Sequence, residues 1–133
     1  MKATFADTSF FVAALNHRDV HHAAAARFLR GYSEAIVTSH WVLLEVANYF
    51  ARSTNRAVAA QFIESVLADP KVECVSASVD SFMTGLKLFR DRPDKHWSLT
   101  DCVSFEIMKQ RAIHQALTTD HHFEQAGFDI LLK

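Results

Sequence analysis

The sequence predicts an α/β fold in three layers, a parallel sheet with helices packed on both faces. Two observations carry this. Short apolar runs of strand type alternate with helical stretches from end to end, the pattern that makes parallel strands joined by helical crossovers. Core material is also plentiful: half of the 133 residues are hydrophobic and eleven are Phe, whereas only three are Gly and two are Pro. That balance excludes a disordered or collagen-like chain and supplies the core of one domain spanning residues 1–133.

Ala3-Thr4-Phe5-Ala6 is an apolar run ending at Asp7 and reads as a buried strand. Thr8 to Leu15 is apolar at most positions and reads as a short helix that Asp7 can cap. After the polar break His17-Arg18-Asp19, His21 to Leu29 is Ala-rich and helical, with Gly31 as its stop. Ala35 to Thr38 is the second strand. Ser39 opens a helix expected to run to about Arg52; its apolar residues are nearly continuous, so burial on most sides is expected. Trp41, Tyr49 and Phe50 in it read as core, with a partner-binding surface as the competing assignment.

Arg56 to Leu67 carries a stripe of Val58, Phe62, Ile63, Val66 and Leu67 and ends at Asp69-Pro70. Val72 to Val75 is a third strand and Val79 to Phe89 a helix, followed by a charged loop from Arg90 to Lys95. Asp101 to Arg111 is helical and Gln115 to Thr118 is a fourth strand. His121 to Gln125 is one helical turn closed by Gly127, and Phe128 to Leu132 is the last strand.

No apolar run approaches the ~18 residues of a membrane-spanning helix. Lys2 is followed too soon by Asp7, with no small-residue cleavage site, to read as a secretory leader. Cys74 and Cys102 are too few for a disulfide framework and neither belongs to a CxxC pair, so a reduced, cytoplasmic setting is expected. The net charge of −1 lacks the basic footprint of a protein that grips duplex nucleic acid non-specifically.

Four acids stand apart. Asp7 and Asp120 directly follow strand stretches, where ligands of a parallel sheet bind. Asp101 sits in Ser98-Leu99-Thr100-Asp101, nineteen residues before Asp120. Each of the three is also a plausible helix cap, and Ser98 to Asp101 matches a capping box. Glu45 is harder to explain as structure. It lies in an apolar helix with Trp41, Val42, Asn48 and Tyr49 three and four positions away, none of them basic. If the four converge, two unit charges ~5 Å apart repel by roughly 3 kcal/mol at an effective dielectric near 20. A bound dication relieves that repulsion, and an all-oxygen donor set favours Mg²⁺ or Mn²⁺. The hydroxyls of Thr8, Ser9 and Thr119 lie close enough in sequence to orient the carboxylates.

Asp7-Thr8-Ser9, Leu44-Glu45, Ser98-Leu99-Thr100-Asp101-Cys102 and Leu117-Thr118-Thr119-Asp120-His121-His122-Phe123 with Ala126-Gly127-Phe128, in that order, resemble the PIN-domain nucleases, and among them the VapC-type ribonuclease toxins. The resemblance covers essentially the whole chain. It implies a five-stranded parallel sheet in the order 3-2-1-4-5, with Asp7, Glu45, Asp101 and Asp120 as the metal-binding, catalytic acids. It leaves Thr8 and Ser9 as alternatives for a further polar residue beside the first aspartate. It implies RNA hydrolysis to a 5′-phosphate and a 3′-hydroxyl, a homodimer and an antitoxin partner.

The remaining polar clusters have competing assignments. His17, His21 and His22 include an i,i+4 pair but no HExxH pattern, and a solvated face outweighs a metal site there. His122 is expected to pack or hydrogen-bond within its turn. Arg90, Arg92, Lys95 and His96 form either a solvated loop or a basic lip for substrate phosphates, with Trp97 available for base stacking. Two rival functions stand beside the nuclease: a phosphoryl-transfer protein of receiver or aspartyl-phosphatase type, disfavoured by the lack of paired acids or a DxD at the first strand end, and a non-catalytic partner-binding module.

Overall fold

The computed structural model describes residues 2–32 and 34–132. Five strands and seven helices follow one another as β1 (Ala3–Ala6), α1 (Thr8–Leu15), α2 (His22–Gly31), β2 (Ala35–Ser39), α3 (His40–Tyr49), α4 (Arg56–Ala68), β3 (Val72–Val75), α5 (Val79–Asp91), α6 (Leu99–Gln110), β4 (Gln115–Leu117), α7 (His121–Gln125) and β5 (Asp129–Ile130). All pairings are parallel and the strand order is β3-β2-β1-β4-β5.

That order follows from the connections. The chain first steps outward from β1 to β2 to β3, then returns across the sheet to β4 and steps outward again to β5. Right-handed crossovers in opposite directions put α1–α4 on one face and α5–α7 on the other. The central strand β1 is flanked on both sides and is buried at Thr4, Phe5 and Ala6. Its neighbours are packed in register, Thr4 with Ile36 and Phe5 with Val37 on one side, Ala6 with Leu117 on the other. Phe5, Phe10, Phe11, Phe105 and Phe123 fill the core on the two faces.

The structure departs from the sequence expectations in three places. Helix α3 stops at Tyr49 rather than near Arg52, because the Ser53 N–H and hydroxyl both bond to the Phe50 carbonyl and turn the chain. It also buries one face only. Val42, Leu43, Val46 and Phe50 point into the core while Leu44 and Tyr49 are exposed, so an apolar sequence did not mean burial all round. Helix α5 runs on through Arg90 and Asp91, residues expected in the loop. The last strand is two residues long, since β4 offers only three to pair with.

Candidate metal centre

Strands β1 and β4 lie side by side, and the connections leaving them diverge to opposite faces. A crevice opens at such a switch point, beyond the carboxyl ends of the strands. The Asp7 N–H bonds to the Leu117 carbonyl at 3.1 Å, which pins those two ends together. Asp7 therefore projects from one strand end, and Thr118-Thr119-Asp120 continue from the other. Helix α6 delivers Asp101 at its first turn, and α3, which leaves the end of β2, delivers Glu45. All four acids line one open cleft of about 490 Å³.

Asp7 is only 3 % exposed. Its Oδ2 accepts from the Thr118 hydroxyl at 3.0 Å and the Ser9 hydroxyl at 3.2 Å, and those two oxygens are 2.9 Å apart. The same hydroxyls fix the β4 side of the cleft: Ser9 Oγ accepts from the Thr119 N–H, and Thr118 Oγ1 from the Asp120 N–H, both at 3.0 Å. Of the two candidates beside Asp7, Ser9 makes the bond. Thr8 lines the cleft, and its Oγ1 is buried without a hydrogen-bond partner among the described residues. Thr119, expected to contribute a hydroxyl, contributes its backbone N–H instead, and Thr118 supplies the hydroxyl.

Asp101 is both a cap and a cleft residue. The Ser98 N–H donates to its Oδ2 at 3.1 Å while the Asp101 N–H donates to Ser98 Oγ at 3.0 Å, completing the capping box that begins α6. His122 Nδ1 donates to the same Oδ2 at 3.1 Å and lies 3.3 Å from Asp120 Oδ1. Asp120 in turn accepts from the His122 backbone N–H at 2.9 Å, capping α7. His122 thus does more than stay within its own turn: it ties Asp120 to Asp101 across two elements.

The electrostatics follow from this crowding. Burial, then the neighbouring Asp101 and more weakly Asp120, push the Asp7 carboxyl from its ordinary 3.8 up to about 7, against the opposing pull of the Thr8 N–H and the Thr118 hydroxyl. Burial and then Asp120 raise Asp101 as well, against the Ser98 N–H and His122. Among the described residues no ion pair reaches Glu45 or Asp7.

A hard divalent cation fits these residues on three observations: several carboxylates share one solvent-open cleft, burial and like charge raise two of them above the ordinary carboxylate range, and the Thr8 hydroxyl is buried without a partner among the described residues. Ligand atoms of Asp120, His121 and His122 lie within 4.8 Å of one another, but His121 does not line the cleft and His122 Nδ1 is engaged with Asp101. By contrast His22 Nδ1 bonds to the Ala13 carbonyl at 2.8 Å, tying α2 to α1, and its ring lies tilted at 51° to that of His17 with centres 4.5 Å apart.

The basic residues lie elsewhere. Arg92 grips Asp94 through two bonds of 2.9 and 3.0 Å, and its guanidinium sits 5.1 Å from the Trp97 ring centre. Arg90 ends α5 beside Asp91, and Lys95 lies 6.0 Å from Trp97. None of the three lines the cleft. Trp97 is not available for base stacking: it is 6 % exposed, edge-on to Phe105, with its Nε1–H donated to Gln125. His96, expected in the same lip, does line the cleft, and the cleft residues that the sequence reading missed are Val12, Asp19 and Tyr49. Only Tyr49 carried a usable signal, its position one helical turn after Glu45.

The PIN domain model matches residues 4–129. The chain belongs to the PIN-domain family. Over 125 residues it is 30% identical to the 23S rRNA-specific endonuclease VapC20 of Mycobacterium tuberculosis, covering 93% of this chain and 94% of that protein. The crystal structure of VapC20, a sarcin-ricin loop cleaving toxin, superposes with a TM-score of 0.88 at 25% identity, covering 98% of this chain and 99% of that one. VapBC2 of Rickettsia felis, bound to a promoter DNA fragment, shares the fold at a TM-score of 0.69 and 14% identity, covering 97% of each chain. The five-stranded order 3-2-1-4-5 is therefore the order of a PIN domain.

Proposed function

We propose that this PIN domain is a divalent-metal-dependent endoribonuclease and the toxin of a toxin–antitoxin pair. The observation that carries the reading is the convergence of Asp7, Glu45, Asp101 and Asp120 in one cleft of a chain similar along nearly its whole length to a ribosomal-RNA endonuclease. The four acids would hold Mg²⁺ or Mn²⁺. The chemistry supplied by such a cation when bound is charge neutralisation at the scissile phosphate and acidification of water.

The protein's own contribution is preorganisation. Ser9 and Thr118 fix the Asp7 carboxylate, Ser98 and His122 fix Asp101, and the His122 N–H fixes Asp120, so none has to be reoriented as negative charge builds on phosphorus. Glu45 reaches the same cleft from the separate helix α3. An open cleft suits single-stranded or looped RNA, whose backbone can enter without a duplex being opened. Arg90, Arg92 and Lys95 remain candidates only for contacts with RNA beyond the cleft. An antitoxin obstructing the cleft and a homodimer complete the proposal, as does the extent of the domain over residues 1–133.

The test is incubation of the purified chain with mixed cellular RNA, large-subunit ribosomal RNA included, with and without Mg²⁺ or Mn²⁺. Discrete cleavage that requires the metal and vanishes in Asp101→Asn is expected. Equal cleavage by the variant, or none by the wild type under either metal, overturns the reading.

A further inference from the structure

Helix α3 divides its surface three ways. Val42, Leu43, Val46 and Phe50 face the core, Leu44 and Asn48 face outward, and Glu45 with Tyr49 form a stripe roughly a quarter-turn round from the core face. Both members of that stripe line the acidic cleft. Tyr49 is 60 % exposed, yet its ring is braced: it packs edge-on against the buried Phe50, centres 4.9 Å apart and planes at 73°. A large aromatic ring therefore stands in the wall of the cleft, four residues or about 6 Å along the helix axis from an acid of the candidate metal centre.

The cleft also lacks something. Among the described residues no Lys or Arg lines it, and the nearby cations Arg92 and Lys95 are engaged around Trp97 and Asp94. A polyanion entering such a cleft finds no side-chain cation to grip its backbone, and a bound metal would serve the scissile phosphate alone. The neighbouring nucleotides are then best held through their uncharged parts, and stacking on an aromatic ring is the sequence-tolerant way to hold an unpaired base.

We propose that Tyr49 is the platform on which an unpaired base next to the scissile phosphate stacks, so that α3 supplies both a metal-site acid and the residue that positions the substrate. This rests on the ribonuclease reading above and adds the group that holds the RNA. His96, from the loop before α6, lines the same cleft and offers a second ring. Tyr49 is a positioning residue: its ring holds the nucleotide and takes no part in bond breaking.

The experiment measures KM and kcat in Mg²⁺ or Mn²⁺ on a short oligoribonucleotide that contains a mapped cleavage site. It is compared with copies in which each nucleotide flanking that site in turn is abasic. The chains are the wild type, Tyr49→Ala, Tyr49→Phe and Tyr49→Trp. Tyr49→Ala should raise KM by about tenfold with kcat little changed, and the two aromatic replacements should restore KM. Removing one flanking base should raise the wild-type KM by a similar factor and have no further effect in Tyr49→Ala, since ring and base are two halves of one contact. Because the ring is mostly exposed, the melting temperature should hardly move. An unchanged KM in Tyr49→Ala, or the same sensitivity to the abasic site with and without the ring, overturns the proposal alone. A change in oligomeric mass or antitoxin binding with KM unaltered assigns the ring to a protein contact and overturns it too. A wild type that cuts no RNA with either metal removes the ribonuclease reading together with this one.

Discussion

Asp94 and Asp101 are seven positions apart and occupy opposite environments. Asp94 is exposed and clasped by Arg92, whose hydrogen bonds hold its carboxyl down at about 2. Asp101 is buried, faces Asp120 and has no Arg or Lys beside it, and its carboxyl is pushed up. One acid is matched by a full positive charge; the other is held by the Ser98 N–H and the His122 ring, which do not offset its burial and the Asp120 charge. A chain keeps the second kind where function needs it, because each costs folding free energy in the absence of its ligand.

The largest test of this contrast is to remove each charge in turn. Asp101→Asn should reduce metal-dependent RNA cleavage to background, whereas Asp94→Asn should leave it intact; comparable losses in an RNA cleavage assay would erase the distinction.

Next comes stability against pH. The folded Asp7 carboxyl titrates near 7, above its ordinary 3.8, so between those values the folded chain holds a proton that the unfolded chain has released. Its contribution is complete below the ordinary value and is lost as pH rises through about 7, an effect of up to about 4 kcal/mol. Asp101 acts in the same direction. In EDTA, Asp7→Asn should melt above the wild type at pH 8 and close to it at pH 4, and Mg²⁺ should raise the wild-type melting temperature at pH 8 but not that of the variant. A wild type that outlasts Asp7→Asn at pH 8 without metal would show that Asp7 is not under electrostatic strain.

Gly85 connects the two regions, since α5 leads into the Asp94 loop and packs on α6, which carries Asp101. A methyl group there would meet Val103 Cγ2 at 2.4 Å and Val103 backbone at 3.0 Å. Gly85→Ala should cost about 1–3 kcal/mol despite the better helix propensity of Ala. It should lower cleavage as α6 is displaced, read by thermal melts alongside the RNA assay.

A smaller gain is expected at the far end of α6. Ala112 is left-handed at φ 54°, with the Ile113 N–H bonded to the Met108 carbonyl at 2.9 Å. Gly127 makes the corresponding turn after α7 with the residue type that turn favours. Ala112→Gly should raise stability by about 1 kcal/mol with cleavage unchanged. Smallest of all, breaking the exposed Arg92–Asp94 pair with Arg92→Ala should leave the melting temperature within error.

Much of this was legible in the residues. Buried parallel strands announce themselves as short apolar runs, so β1 to β4 were found almost to the residue, and acids directly after strands belong at the ligand-binding end of such a sheet. The strand order came from family resemblance, because local patterns do not say which strands are neighbours. What stayed hidden depended on partners far away in sequence. Trp97 looked like a surface ring because charges precede it, yet Phe105 and Gln125 hold it inside. The run from Arg90 to Lys95 looked like a phosphate lip, but its charges are largely satisfied by Asp91, Asp94 and the Trp97 face. Tyr49 looked like core because the apolar content of α3 masks which side each residue takes. His122 reaches Asp101 over twenty-one positions, which no local spacing reveals.

The seam between β1 and β4 has a consequence for the order in which the molecule becomes able to act. Asp7 stands 111 positions before Thr118, which holds it, and Asp120 comes two residues later still. A polypeptide still lacking those residues has no complete acid set, so the cleft becomes whole only once residue 120 has joined the fold.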